Sequence, residues 1–384
     1  MTTPHTRTVF EALADLIRRS GPLTFAQYMA FVLYDPVWGY YTAERPRVGD
    51  RGDYYTSPAV HPVFGHLLAR QAADLWARLG RPDDFVIVDL GGGQGHLAAS
   101  LLGGLARDWA EVYERTRYFL VDFDPNLRAA HRRLAAEPGD LVARVEFVTD
   151  LPAEPFSGLV IANEFFDALA VHIVVSREGR LREVYVDWQD GLIEVEGEIS
   201  DPELVAYFER VGVRPPEGVR AEVCLEGPEW VRRVGRLLRA GVFLIIDYGY
   251  PAAELYSRKF PRGTLMCYFR GGYHEDPYRF PGEQDITAHV DFTGLALAGR
   301  EVGLQVLGLT TQARFLRNLG IEDYIRALDR AVFDDPEAYQ RNLTLIRSLV
   351  KPGGLGSFKV LFLGRGVGRE LWGLTGTPAK ELGW

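Results

Sequence analysis

Two carboxylates three residues apart, Glu164 and Asp167, enclose two aromatic rings in the stretch Asn163-Glu164-Phe165-Phe166-Asp167. Such a group suits a planar cation, because a guanidinium offers donors in a fork that carboxylates accept in pairs while its faces stack on rings. The same acids also fit a structural role, with Asp167 capping a helix through 168–171 and Glu164 pairing with an internal arginine, and spacing alone leaves both open. A second constellation is FVIVDLGGGQGHL at 85–97, where Asp89 precedes Gly91, Gly93 and Gly95. A strand, a glycine turn and a helix start make a nucleotide-binding corner, since glycine takes φ > 0 and lets backbone approach a ligand. Dinucleotide spacing fails here because His96 stands where the third glycine belongs, and no Gly-Lys-Ser/Thr closes the run as in a phosphate-cradling loop. A third group, Asp285, His289 and Asp291 in QDITAHVDF, has the residue types of a metal or catalytic site. Either acid also serves as a helix cap there and the histidine as a hydrogen-bonded partner. No second ligand cluster accompanies them, so no metal is expected and a conformational or substrate-gating role is preferred.

What remains of the glycine corner, acid-x-Gly-x-Gly-x-Gly, resembles the first motif of class I S-adenosylmethionine (SAM) methyltransferases. SAM carries no phosphate, so such a corner needs an acid for the ligand's ammonium, a part that falls to Asp89. The elements around it follow from short apolar runs. Residues 85–88 read as a strand buried on both faces and 96 onward as a helix. Further strands are expected at 118–121, 145–148 and 159–162, and ligands of open parallel sheets meet the carboxyl ends of such strands. Asp122 ends the second run, where a carboxylate takes both hydroxyls of a ribose; helix capping by Asp122 or Asp124 is the alternative. Asp150 ends the third and is a weaker candidate, facing the adenine amino group. Asn163 and Glu164 end the fourth.

The rest of the chain supplies walls. Helices are expected at 8–19 and 24–33, with Thr24 as a cap, followed by the aromatic stretches LYDPVWGYYT and GDYYTSPAVHP. These read equally as a lid over the cofactor or as an ordinary packed cap. As a lid they bring Thr56 and Pro58 to the cofactor. Residues 172–199 alternate apolar with polar around two turn signals, an antiparallel meander inserted into the core. A helix at 227–240 precedes a fifth strand, 242–246. Residues 251–299 form a second insertion without the composition of a regular element. The last strands fall at 304–309 and 358–363.

Several blocks in order carry a more specific resemblance: GPLTFAQYMAFVLYDPVWGYY, GDYYTSP with HPVFG, the glycine corner, NEFFDALAV, LIIDYGY, QDITAHVDF and GSFKVLFL. Together they are similar to the MidA-type methyltransferases, from about Gly21 to Leu363. That family includes the mitochondrial respiratory complex I assembly factor that methylates an arginine. This chain departs from its pattern at Asp89, Gly92 and Gln94, where the family more often has Glu, Pro and Arg, and at Ala170 in place of Pro.

The resemblance implies a class I methyltransferase of Rossmann-like α/β fold: a seven-stranded sheet, mostly parallel with one antiparallel strand, an N-terminal helical lid and two inserted subdomains. The expected division is 1–80 for the lid region, 81–171 with 241–250 and 300–384 for the SAM-binding core, 172–240 for the first insertion and 251–299 for the second. The implied reaction carries the methyl of SAM, leaving S-adenosylhomocysteine (SAH), to an arginine of a partner protein, a respiratory complex I subunit being the acceptor the resemblance points to. Glu164 then holds the guanidinium, and Asp167 or His289 takes the released proton. Alternatives are methylation of a small molecule or another nitrogen or oxygen, and an assembly factor that binds SAM without turnover.

Composition sets outer bounds. A net charge of −9 argues against a nucleic-acid substrate, and 47% hydrophobic content is that of a globular protein. No apolar run reaches the ~20 residues of a membrane span. The first twenty residues lack a signal-peptide core, and Cys224 and Cys267 form neither a disulfide framework nor a ligand spacing, so the cytoplasm is the expected compartment. A homodimer is left open.

Overall fold

The computed structural model describes residues 8–43, 53, 56–328 and 335–376. Gly52, Tyr54 and Tyr55 of GDYYTSP lie outside the described residues. Seven strands form the core sheet, in the order Gln305–Thr311, Lys359–Arg365, Leu238–Asp247, Phe156–Asn163, Phe85–Leu90, Thr116–Val121 and Val145–Val148. Lys359–Arg365 runs antiparallel to both its neighbours and the remaining pairs are parallel. Every residue of Phe85–Leu90 is buried. Phe85 and Ile87 enter one apolar cluster, and Val86, Val88 and Leu90 the other, the two-residue alternation of a strand covered on both faces.

Because Phe85–Leu90 lies between the second strand and the fourth, the strand order reverses beside it, and a crevice opens outside the carboxyl ends there. The glycine turn and Asn163-Glu164 both emerge at this crevice. Helices Val63–Arg78 and His96–Asp108 cover one face through the cluster that includes Leu67, Leu68, Leu101 and Leu105.

The meander expected at 172–199 is present as His172–Arg177, Arg180–Trp188 and Leu192–Gly197. It belongs to a five-stranded sheet completed by Arg220–Val223 and, from the N-terminal region, Leu23–Thr24. Helices Val9–Ser20 and Phe25–Tyr34 pack on that sheet through Leu13, Phe25, Met29, Ile173 and Val186. Residues 1–80 therefore divide in the fold: the first two helices join the meander and Val63–Arg78 joins the core. Thr24 is the expected cap, its hydroxyl accepting from Gln27 N at 3.1 Å while Gln27 Oε1 accepts from Thr24 N at 2.9 Å.

Two stretches differ from their sequence reading. Helix Glu226–Leu237 ends earlier than expected, because strand Leu238–Asp247 already pairs with Phe156 at its first residue. Residues 251–299 are more regular than their Gly, Pro and Tyr content implied. They carry a three-stranded antiparallel sheet, Gly272–His274, Met266–Phe269 and Asp285–Thr287, and the start of helix Phe292–Glu301. Strands of three or four residues are too short for alternation to show.

Candidate active site

The glycine corner is held by its backbone. Gly91, Gly93 and Gly95 all have positive φ, at 68°, 55° and 77°. Gly91 N and Gly92 N donate to Val121 O at 2.9 and 3.3 Å, and Gly93 N donates to Asp122 Oδ2 at 2.7 Å. A Cβ on Gly91 would lie 2.8 Å from Phe165 Cδ2, so the turn presses against the Asn163–Asp167 segment with no room for a side chain. Gly95 caps helix His96–Asp108 and packs toward Ala130, outside the cavity lining.

Asp122 does not cap the helix that follows; Phe123 holds that position, with no side-chain bond. Its Oδ1 accepts from Phe123 N and Asn126 Nδ2 at 2.6 and 2.7 Å, which fixes the carboxylate at the rim. Asp89 lies on the floor, buried, with Tyr118 donating to Oδ2 at 2.8 Å. Burial pushes its carboxyl up to about 7, against the pull of the Tyr118 hydrogen bond. Thr149 lines the cavity and Asp150 does not: its carboxylate is exposed, pairs with Arg233 and accepts from Leu151 N.

The Asn163–Asp167 turn carries the second half of the site. Glu164 adopts φ 52°, a left-handed conformation that costs a non-glycine residue free energy and recurs at functional sites. Its Oε1 accepts from Ser57 N at 2.9 Å and Asn163 Nδ2 at 3.0 Å. These are amide donors, where the structural alternative called for an arginine. Burial raises the Glu164 carboxyl to about 8. Nor does Asp167 start a helix: 168–171 is non-helical. Asp167 is buried, its Oδ1 has no hydrogen-bond partner, and burial raises it to about 6 against the lowering effect of the Tyr248 hydroxyl. Asn163 Oδ1 is likewise buried and unpartnered.

Asp247, at the end of the fifth strand, pins this turn. Its carboxylate accepts from Phe166 N, Asp167 N and Tyr248 N at 3.1, 3.3 and 2.9 Å. Burial, then the charges of Asp167 and Glu164, push it well above the usual carboxylate range. The sequence reading ended the fifth strand at 246 and gave Asp247 no role. Its position in Asp247-Tyr248-Gly249-Tyr250, closing a core strand, was the available signal.

His289 lines the same cavity, its ring 5.4 Å from that of Tyr248, 5.6 Å from Tyr250 and 5.7 Å from Phe260. Burial and Lys259 lower it to about 4, and its Nδ1 has no partner. Asp291 stays outside the lining, accepting from Thr293 N at 2.8 Å as the cap of Phe292–Glu301 and from the Tyr207 hydroxyl at 2.6 Å. Among the described residues no three His, Cys, Asp or Glu side chains converge as a metal site.

Asp89, Gly91, Gly93, Asp122, Asn163, Glu164, Asp167 and His289 open on one cavity of about 1280 Å³, which Thr56 and Pro58 also line. Pockets for a single small ligand measure roughly 300–1,000 Å³, so the volume admits a second reacting group. The residues fit a sulfonium nucleoside with an amino-acid tail. Gly93 leaves space that a Cβ would fill, meeting only Gly91 O at 3.9 Å, Asn163 Oδ1 lacks a donor, and Asp89 is a buried acid to which no ion pair is made among the described residues.

Comparison with known proteins then decides the family. A family model described as "Putative S-adenosyl-L-methionine-dependent methyltransferase" matches residues 67–310. The chain belongs to this family. It is 31% identical to the protein arginine methyltransferase NDUFAF7 homolog, mitochondrial, of Drosophila melanogaster over 393 residues, covering 91% of this chain and 83% of that protein. Bos taurus NDUFAF7, also named a mitochondrial protein arginine methyltransferase, is 29% identical over 380 residues, covering 88% and 79%. A Burkholderia thailandensis protein solved with S-adenosyl-homocysteine bound superposes with a TM-score of 0.86 at 34% identity, over 94% of this chain and 93% of that one. The methyltransferase is thus SAM-dependent and of class I fold, as the motif blocks implied. Among its described residues no helix is long and apolar enough to cross a membrane.

Proposed function

We propose that this methyltransferase transfers the methyl of SAM to a guanidinium nitrogen of an arginine in a partner protein. The observation that carries the reading is the charge of the cavity. Among the described residues, Asp53, Asp89, Asp122, Glu164, Asp167, Glu226 and Asp285 line it against a single lysine, Lys359, with Tyr34, Tyr41, Tyr248 and Tyr268 between them. Carboxylates set among aromatic rings complement a planar cation. The relatives named above are called arginine methyltransferases, which agrees with that chemistry.

When bound, SAM supplies an electrophilic methyl on sulfur. Asp122 takes the ribose hydroxyls, Asp89 the ammonium, and the Gly91–Gly93 backbone lies along the ligand. Orientation of this kind is worth roughly 7–11 kcal/mol, because the carbon–nitrogen bond forms in line as the carbon–sulfur bond breaks. Glu164 holds the guanidinium and draws positive charge onto the nitrogens remote from the methyl, a contribution of about 3–4 kcal/mol for a preorganised group. Raised to about 8, Glu164 is largely protonated near pH 7 until a cation lowers it again, so acceptor binding releases a proton. After transfer the nitrogen loses a proton to Asp167 or His289; at about 6 and about 4 both are unprotonated at neutral pH, Asp167 being the stronger base.

The cytoplasm is the compartment we propose, supported by the unpaired Cys224 and Cys267; the curated relatives are mitochondrial by name. A subunit of respiratory complex I is the first acceptor to try. The test is transfer from radiolabelled SAM into a cell lysate: label is expected in protein and, after acid hydrolysis, in methylarginine. Label confined to nucleic acid or to solvent extract would overturn the reading.

A further inference from the structure

The second insertion presents one face of its small sheet to the cavity. Tyr268 pairs directly with Asp285, and Met266 with Thr287, so these four side chains share a face. All four line the cavity, while Cys267 and Ile286, which alternate with them, point into the apolar core on the other side. Asp285 is 3% exposed. Its Oδ1 accepts from the Tyr41 hydroxyl at 2.7 Å, and Tyr41 itself stacks on Tyr34 at 5.5 Å between ring centroids. None of the ion pairs among the described residues reaches it. Burial, with the charge of Asp167 adding to it, lifts Asp285 to about 7. Asp167 likewise raises Glu164, so both acids lie within electrostatic range of the same side chain although they come from different walls.

A buried carboxylate without a cation is costly, and one facing a ligand cavity is relieved by a cation that the ligand brings. A guanidinium has two edges able to donate in pairs, and a single carboxylate satisfies only one. We propose that Asp285 is the second carboxylate of the acceptor site, accepting from one edge of the substrate guanidinium while Glu164 accepts from another. Tyr41 orients Asp285 and, with Tyr34, offers a ring face to the cation. This rests on the arginine reading above and adds the residue that distinguishes a guanidinium from a neutral urea of the same shape.

The test uses the full chain saturated with SAH and two probes, N-acetyl-arginine amide and its citrulline counterpart, titrated calorimetrically. The wild type is expected to prefer the arginine compound. Asp285→Asn should weaken arginine binding roughly 10- to 100-fold, leaving citrulline and SAH affinities within about twofold. Tyr41→Phe, which keeps the charge but frees its orientation, should lose a smaller part of the same preference. Equal arginine affinity in wild type and Asp285→Asn would overturn the proposal while sparing the arginine reading. Parallel loss of both probes would make Asp285 structural. No arginine binding by the wild type would overturn both.

Discussion

On the proposed reading, the cofactor side of the cavity is shaped by backbone, with Asp89 and Asp122 added to it, and the acceptor side by side chains. On the first, amides at 91–93 bond to Val121 and Asp122, and the shape is set by three positive-φ glycines between a core strand and its helix. On the second, Glu164, Asp285, Tyr41 and Tyr268 arrive from a strand end, a small inserted sheet and the N-terminal aromatic stretch. The first needs one core strand, its turn and the end of the strand paired beside it. The second exists only once distant segments have packed, so acceptor choice can change without disturbing the cofactor.

The sharpest way to break this division is to damage only the backbone side. Gly91→Val places a β-branched side chain at φ 68° and against Phe165. SAH affinity should fall on the order of a hundredfold, with thermal unfolding still cooperative. An unchanged affinity in calorimetry would mean that the turn is not the cofactor's seat.

A smaller effect concerns both sides together. Asp89, Asp285 and Glu164 are raised to about 7, 7 and 8 in the folded chain, from the ordinary carboxyl values of 3.8, 3.8 and 4.5. The folded state therefore binds more protons than the unfolded chain between these limits. The stability so gained is full below about pH 4 and is lost as pH rises through about 7 to 8. The Tm of the ligand-free protein should fall between about pH 5.5 and 8, and SAH, whose ammonium we propose meets Asp89, should flatten that slope. A slope unaltered by SAH in scanning calorimetry would remove Asp89 from the cofactor side.

The same division explains what the sequence disclosed. Core strands were legible because both their faces are apolar, and the glycine corner because its spacing is local. Thr149 rather than Asp150 lines the cavity, since one step along a chain leaving a strand reverses a side chain's direction and Asp150 turns to Arg233. Asp285 was seen, but its work was not. Its partners Tyr41 and Tyr268 lie 244 residues away in one case and across a four-residue strand in the other, which no periodicity connects. Leu23–Thr24, a two-residue strand, was hidden for the same reason, though the cap at Thr24 was plain.

Glu164→Gln tests the central claim most directly, because Glu164 stands where the two sides meet and glutamine keeps an oxygen for Ser57 N. Methyl transfer to the acceptor protein and SAH affinity should be measured on the same preparation. The account predicts turnover lower by roughly a hundredfold or more with SAH affinity nearly unchanged. Equal loss of SAH binding, or full turnover, would contradict it.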